Sequence, residues 1–269
     1  MRAKHSLGQN FLTCAWAAKT VAAVAHPGET VLEIGPGKGA LTKELLARGA
    51  QVIAYEIDQT LVEVLAEKFA QEIEEGRLKV FHRDIRDVSD VAKEPWYSGA
   101  YVVAANIPYY ITGEIIRQFL TAKHAPTAMS LLVQREVAER IAKEKKESIL
   151  SLSVKAYGAP HYVKTVPASC FSPKPRVDSA IMRVEGISRD FFEDIDEALF
   201  FTVVKTGFSS KRKFLVSNLA PLAAREVLLE AFGKAGIDEK ARAEDVTLPK
   251  WKVLVQIIGS GRLEDLKDE

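Results

Sequence analysis

The strongest constraint on the fold is a run in which an apolar stretch, a glycine-rich turn and a helical period follow one another without interruption. Val31-Leu32-Glu33-Ile34 leads into Gly35-Pro36-Gly37-Lys38-Gly39 and then the amphipathic run Ala40 to Arg48. This order predicts strand, turn and helix. Glycine in such a turn lets a ligand approach the backbone, and the helix start supplies unpaired N–H groups. A second apolar run, Gln51 to Tyr55, ends at Glu56, 21 residues beyond Gly35. At that spacing an α/β unit can set a carboxylate on both hydroxyls of a ribose. A phosphate-binding P-loop is excluded, because no Gly-Lys-Ser/Thr stands at the required spacing. A dinucleotide fold shares the logic, but its strict Gly-x-Gly-x-x-Gly pattern would need glycine where this chain has Ala40.

Apolar strands alternate with helical periods beyond Glu56. Leu61 to Phe69 reads as a helix, Leu78 to Phe81 as a strand leading to Asp84, and Tyr101 to Ala105 as a strand leading to Asn106. A helix through Ile115, Ile116 and Phe119 follows, then a strand Met129 to Val133, a polar helix Arg135 to Lys145, and late strands Tyr162 to Val166 and Ala180 to Val184. After Gly186-Ile187-Ser188 the pattern becomes helical, with stretches Phe191 to Lys205, Leu222 to Ala235 and Trp251 to Ile258. At 269 residues the chain is long for one domain. The expected architecture is an α/β domain over 1–186 and a small all-helical domain over 187–269.

Asn106-Ile107-Pro108-Tyr109 sits at a strand end, where open α/β sheets place their chemistry. The Asn side-chain oxygen and the next carbonyl can both accept from an exocyclic amino group, while the proline-stiffened turn aims a Tyr ring at a planar base. The corner suits methylation of a nucleobase amino group. Taken alone, a Pro-Tyr turn that merely ends a strand fits equally well.

Net charge is only +1, so distribution matters more than the sum. Basic residues gather at Lys143-Lys145-Lys146, at Lys174 and Arg176, and most densely at Lys211-Arg212-Lys213. The first reads as a solvated helix face. The last is expected to be functional, a site for a polyanionic partner, with Phe208 before it and Phe214-Leu215 after it anchoring the cluster to a packed surface. Two cysteines, Cys14 and Cys170, are too few for a disulfide framework or a thiolate metal site, and both are expected to be structural thiols. The five histidines form no ligand spacing, so no metal is expected. No apolar run approaches membrane length and no signal segment is evident, which leaves the cytoplasm as the default location. Nothing suggests an obligate interface, so a monomer is expected.

Together these residues resemble the ribosomal RNA small-subunit adenine dimethyltransferase family nearly end to end. The resemblance runs through Gly8-Gln9-Asn10-Phe11-Leu12, the Glu33 to Gly39 loop, Glu56-Ile57-Asp58, Asp84, Asn106 to Tyr110, and Gln134 to Arg140. It continues through Phe171 to Ala180, Phe208 to Leu219 and Arg242-Ala243-Glu244. The loop itself looks like the S-adenosylmethionine loop of methyltransferases. The resemblance implies a Rossmann-like, seven-stranded class I methyltransferase domain. It also implies S-adenosylmethionine-dependent N6,N6-dimethylation of two adjacent adenosines in a 3′-terminal hairpin of small-subunit ribosomal RNA, in a partly assembled subunit, with a role in its biogenesis.

Carried over residue by residue, Gln9, Asn10 and Leu12 close over the cofactor, and Glu33, Gly35 and Gly37 line its methionine and ribose. Glu56, followed by Ile57, holds the ribose hydroxyls, and Asp84 with the Ile85 backbone reads its adenine. Asn106 and the Ile107 carbonyl bind the target amino group, Pro108 stiffens the turn, and Tyr109 and Phe171 sandwich the base. Lys174, Arg176, Lys211, Arg212 and Lys213 face RNA. Two positions depart from the family: His82-Arg83-Asp84 replaces the usual Gly-Asp, and Cys14 stands where Asp often follows the Phe-Leu pair. Competing readings are a large-subunit adenine methyltransferase, a protein-glutamine methyltransferase, and an RNA-binding assembly factor with a vestigial cofactor site.

Overall fold

The computed structural model describes residues 9–265. Nine strands and eleven helices of at least five residues follow in chain order among them. They are β1 (Phe11–Leu12), α1 (Ala15–Ala22), β2 (Thr30–Ile34), α2 (Ala40–Ala47), β3 (Gln51–Glu56), α3 (Gln59–Lys68), α4 (Ala70–Glu74), β4 (Leu78–His82), β5 (Val102–Asn106), α5 (Thr112–Leu120), β6 (Ala128–Gln134), α6 (Arg135–Ala142), α7 (Ile149–Tyr157), β7 (Ala159–Val166), β8 (Phe171–Ser172), β9 (Ser179–Glu185), α8 (Glu197–Gly207), α9 (Leu215–Leu219), α10 (Arg225–Ala235) and α11 (Leu248–Asp265).

Seven strands form one sheet in the order β4-β3-β2-β5-β6-β9-β7. The first five are parallel, whereas β9 runs antiparallel between β6 and β7. The seven-stranded sheet starts at β2 and builds outward on both sides of it, so the β2–β5 boundary is the topological switch point where such sheets open a ligand crevice. The apolar runs of β2 and β5 are buried along nearly their whole length, as expected of strands covered on both faces. Helix α3 starts where β3 ends because Asp58 caps it, its side chain accepting from Thr60 N–H at 3.2 Å. Gly39 enters α2 with φ +74°, and a Cβ there would lie 2.5 Å from the Phe69 ring. Glycine is therefore required by both the backbone and the packing.

The chain divides into two compact units, one running to Ala142 and resuming at Gly158–Ile187, the other comprising Lys143–Tyr157 and the residues from Ser188 onward. The single boundary expected near residue 186 is thus corrected by two earlier crossings. The cause is α7: its Leu152 and Ala156 are buried with Phe200, Val204, Leu215 and Trp251 in the core of the helical unit. The core of the first unit gathers Val31, Leu45, Val52, Ala104 and Leu132 around the sheet, and also takes in Phe171.

Candidate functional site

A cleft opens beyond the carboxyl ends of the parallel strands in the first unit. It is lined by Gln9 to Leu12, the Glu33 to Lys38 loop, Glu56, Ile57, Asp84, Ile85, Asn106 to Tyr109 and Phe171. All the sequence-predicted cofactor and acceptor residues therefore meet in one place.

On the β2–β3 side the chemistry is that of buried carboxylates. Glu56 Oε2 accepts from Gly37 N–H and Oε1 from Asp58 N–H, each at 3.0 Å. The first bond depends on Gly37, whose φ is +57° and whose missing Cβ leaves room for the Phe11 ring. Burial raises the Glu56 pKa and the two N–H bonds oppose the rise. Each oxygen keeps a lone pair, and two acceptors on one rigid carboxylate fit a ribose diol. Glu33 is 1% exposed. Its Oε2 accepts from the Thr42 hydroxyl at 2.7 Å, while Oε1 has no partner among the described residues. Burial pushes its pKa up to about 8. A buried acceptor without a donor fits the ammonium group of an amino-acid moiety, such as the one S-adenosylmethionine carries.

After β4, Asp84 caps a short turn, accepting from Arg86 N–H at 2.9 Å. The Arg86 guanidinium also spans both carboxylate oxygens, Nε at 3.1 Å from Oδ1 and Nη2 at 2.6 Å from Oδ2. This pairing holds the Asp84 carboxyl below its usual range. The Asp84 group that sequence reasoning assigned to an adenine ring is thus already engaged by Arg86. Arg83, the departure from the family motif, is tied instead to Glu94 at 2.7 Å.

The Asn106 to Tyr109 side of the cleft is built at the end of β5. The Asn106 amide nitrogen donates to the Asn10 carbonyl at 3.0 Å, which leaves Oδ1 as the acceptor available to the cleft. Ile107 is buried and Pro108 precedes the turn Tyr109–Ile111. The Tyr109 hydroxyl lies 2.7 Å from the hydroxyl of Ser179, a buried residue at the start of β9, and burial raises the tyrosine pKa. Phe171 lines the cleft but is only 4% exposed, packed in the apolar core as well. Ser179 and Arg86 are contacts that sequence reasoning did not assign. Arg86 stands two residues past Asp84, the only local hint, and Ser179 reaches Tyr109 only through the sheet.

The segment over the cleft is clasped to the Phe171 strand. Strand β1 pairs antiparallel with β8, Leu12 opposite Phe171, and Thr13 N–H donates to Cys170 O at 2.8 Å. Cys14 and Cys170 form a disulfide, so the expectation of two free thiols is corrected. Cysteine counting missed it because 156 residues separate the pair in sequence, whereas the fold brings their Cα atoms to 5.0 Å.

Lys174 and Arg176 are exposed on the loop between β8 and β9. In the helical unit Lys211, Arg212 and Lys213 are also exposed. Phe208 stacks on Trp251 and Leu215 is fully buried, as an anchor should be, but Phe214 is 44% exposed and so is not the buried anchor expected. Lys146 is exposed and ion-pairs with Glu244.

A family model described as Ribosomal RNA adenine dimethylase matches residues 1–259. The Ribosomal RNA small subunit methyltransferase A of Dehalococcoides mccartyi (strain CBDB1) is 40% identical over 259 residues, covering 94% of this chain and 88% of its own. The protein of that name from Bacillus cereus (strain B4264) is 36% identical over 264 residues, covering 93% and 89%. Among solved structures, the 23S rRNA methyltransferase ErmE superposes with a TM-score of 0.76 at 26% identity, over 93% of this chain and all of that one. A dimethyladenosine transferase from Plasmodium falciparum, 24% identical, gives a TM-score of 0.77 over 93% and 98% and shares the fold. With a cleft fitted to S-adenosylmethionine and a match that runs almost its full length, the chain belongs to the ribosomal RNA adenine dimethylase family.

Proposed function

We propose that this cleft dimethylates the N6 amino groups of two adjacent adenosines in a hairpin near the 3′ end of small-subunit ribosomal RNA, in a partly assembled subunit. The observation that carries the chemistry is the Asn106 amide, whose nitrogen is held by the Asn10 carbonyl in the cleft shared with Glu56 and Glu33, leaving its oxygen to accept. The small subunit is favoured over the large one because the relatives at 36–40% identity are named for it.

Bound S-adenosylmethionine supplies an electrophilic methyl group on a cationic sulfur. What the chain must supply is a nucleophile, because an adenine amino nitrogen is planar, with its lone pair delocalised into the ring. Asn106 Oδ1 and the Ile107 carbonyl, accepting its two hydrogens, favour a pyramidal nitrogen with the lone pair turned toward the methyl. The Tyr109 ring, held through Ser179, stacks on the base and stabilises the positive charge that develops. The proton leaves after transfer, so no side chain has to act as a strong base first. A base turned out of its stack is held by aromatic contact worth about 1–3 kcal/mol. Phe171 contributes the second ring if the loop after β8 yields slightly, since its ring is now mostly covered.

The test is methyl transfer from S-adenosylmethionine to unmethylated small subunits, with large subunits in parallel, followed by nucleoside analysis. Dimethyladenosine confined to the small-subunit sample is expected. Labelling of the large subunit would instead side with the ErmE likeness. Replacing Asn106 with Ala is expected to cut transfer by about a hundredfold or more, the usual scale for removing a positioned polar group, with subunit binding preserved within about a few-fold. Equal loss of both would remove the acceptor role.

A further inference from the structure

The helical unit displays an aromatic ring that its fold does not use. Phe214 is the N-cap of α9 and makes no side-chain cap bond. Ser, Thr, Asp or Asn would cap the helix there, so Phe forfeits that bond and leaves an apolar ring in water. A large aromatic ring left 44% exposed, at a cap position that favours a short polar side chain, points to contact with something else.

The other large apolar side chains exposed among the described residues are accounted for or are not comparable. Tyr110 and Ile57 line the cleft, Trp16 is covered by Lys164 Nζ at 4.6 Å, and Ile149, Val163 and Val177 are aliphatic. The turn that carries Phe214 is held by several hydrogen bonds. Buried Asn218 donates to Gly207 O at 2.6 Å and Ser210 O at 3.0 Å, Lys213 N–H donates to Ser210 O at 3.2 Å, and Leu215 N–H donates to Ala241 O at 2.8 Å. On this frame Lys211, Arg212 and Lys213 are exposed and have no ion-pair partner among the described residues. An aromatic ring beside three exposed cations on a hydrogen-bonded turn matches the stacking platform and electrostatic groove by which proteins bind unpaired nucleic-acid strands.

We infer that Phe214 stacks on an unpaired ribosomal RNA base distinct from the methylated one, while Lys211, Arg212 and Lys213 hold the flanking phosphates. The inference rests on the proposed function for the identity of the partner as ribosomal RNA. An unpaired or bulged base is specified because a paired and stacked one offers no free face. Uncompensated cations favour RNA over a ribosomal protein.

The experiment measures binding of the full chain to protein-free small-subunit RNA and to small subunits across a salt series. Phe214→Ala, Phe214→Trp and the triple alanine variant of Lys211, Arg212 and Lys213 are compared with wild type. Phe214→Ala is expected to weaken binding to both by about 5- to 100-fold, in line with loss of one stacked base, without changing the salt slope. Phe214→Trp restores affinity, and the triple variant flattens the slope. Unchanged thermal unfolding of Phe214→Ala shows that the exposed ring was not structural. Wild-type affinity of Phe214→Ala for RNA would overturn the inference, as would a loss seen only with protein-containing subunits, which would mark a ribosomal protein as the contact. Failure of wild type to bind ribosomal RNA would remove the proposed function as well; binding that ignores Phe214 removes this inference alone.

Discussion

Arg86 occupies both oxygens of Asp84 with three hydrogen bonds from its guanidinium and a fourth from its own backbone. An adenine amino group that is to use Asp84 must displace part of that arrangement. Because both side chains are partly exposed, solvent screens the pair and it resists displacement only weakly. Arg86→Ala is therefore expected to tighten binding of S-adenosylhomocysteine, the reaction product, by about 1.5- to 5-fold, as read by calorimetry. Weaker binding would show that Arg86 contributes to the cofactor site rather than competing for it. Asp84 was legible from its place after a strand. Its partner was not, because which donor a surface carboxylate takes depends on side-chain geometry that spacing does not encode.

At the scale of elements, β1 and β8 are too short to be stable alone, and each matters because of what it carries. Strand β1 brings the Asn10 carbonyl to Asn106, and β8 brings Phe171 to the same cleft. The Cys14–Cys170 bond ties the two covalently. A crosslink closing a long loop removes conformational freedom from the unfolded chain. Replacing Cys14 with Ser is expected to lower stability under oxidising conditions by about 2–4 kcal/mol and to weaken S-adenosylhomocysteine binding. Both differences should vanish when wild type is treated with a dithiol, which converts the disulfide to two thiols and is itself oxidised. Identical cofactor affinity of oxidised and reduced wild type would limit the clasp to stability. Two-residue strands lie below what alternation can reveal. The same limit hid the membership of α7 in the helical unit, since its apolar face is equally consistent with either core.

For the molecule as a whole, pH enters through the buried carboxyls at the centre of the first unit. Glu33 has its folded pKa pushed from 4.5 to about 8 by burial. A group raised in this way contributes stability that is complete below its unfolded pKa and is lost as pH rises through the folded value. Between roughly pH 4.5 and 8 Glu33 therefore makes the unliganded protein less stable with rising pH, and Glu56, raised in the same direction, adds to the slope. Glu33→Gln keeps an acceptor for Thr42 and removes the titration. Its unfolding midpoint should exceed that of wild type increasingly toward pH 8 and converge with it near pH 5, and parallel midpoints across that range would argue that Glu33 is not neutral in the fold. The sequence alone determined the strand-turn-helix unit, the carboxylate at its ribose spacing, the acceptor corner and the change to helices near residue 186. It could do so because backbone propensity, periodicity and motif spacing are local properties. Tertiary structure alone decided that Cys14 meets Cys170, that Ser179 holds Tyr109, that Asn10 orients Asn106 and that Phe214 stays in solvent. Those contacts join residues far apart in the chain, or depend on which face of an element the core leaves uncovered, and packing settles both.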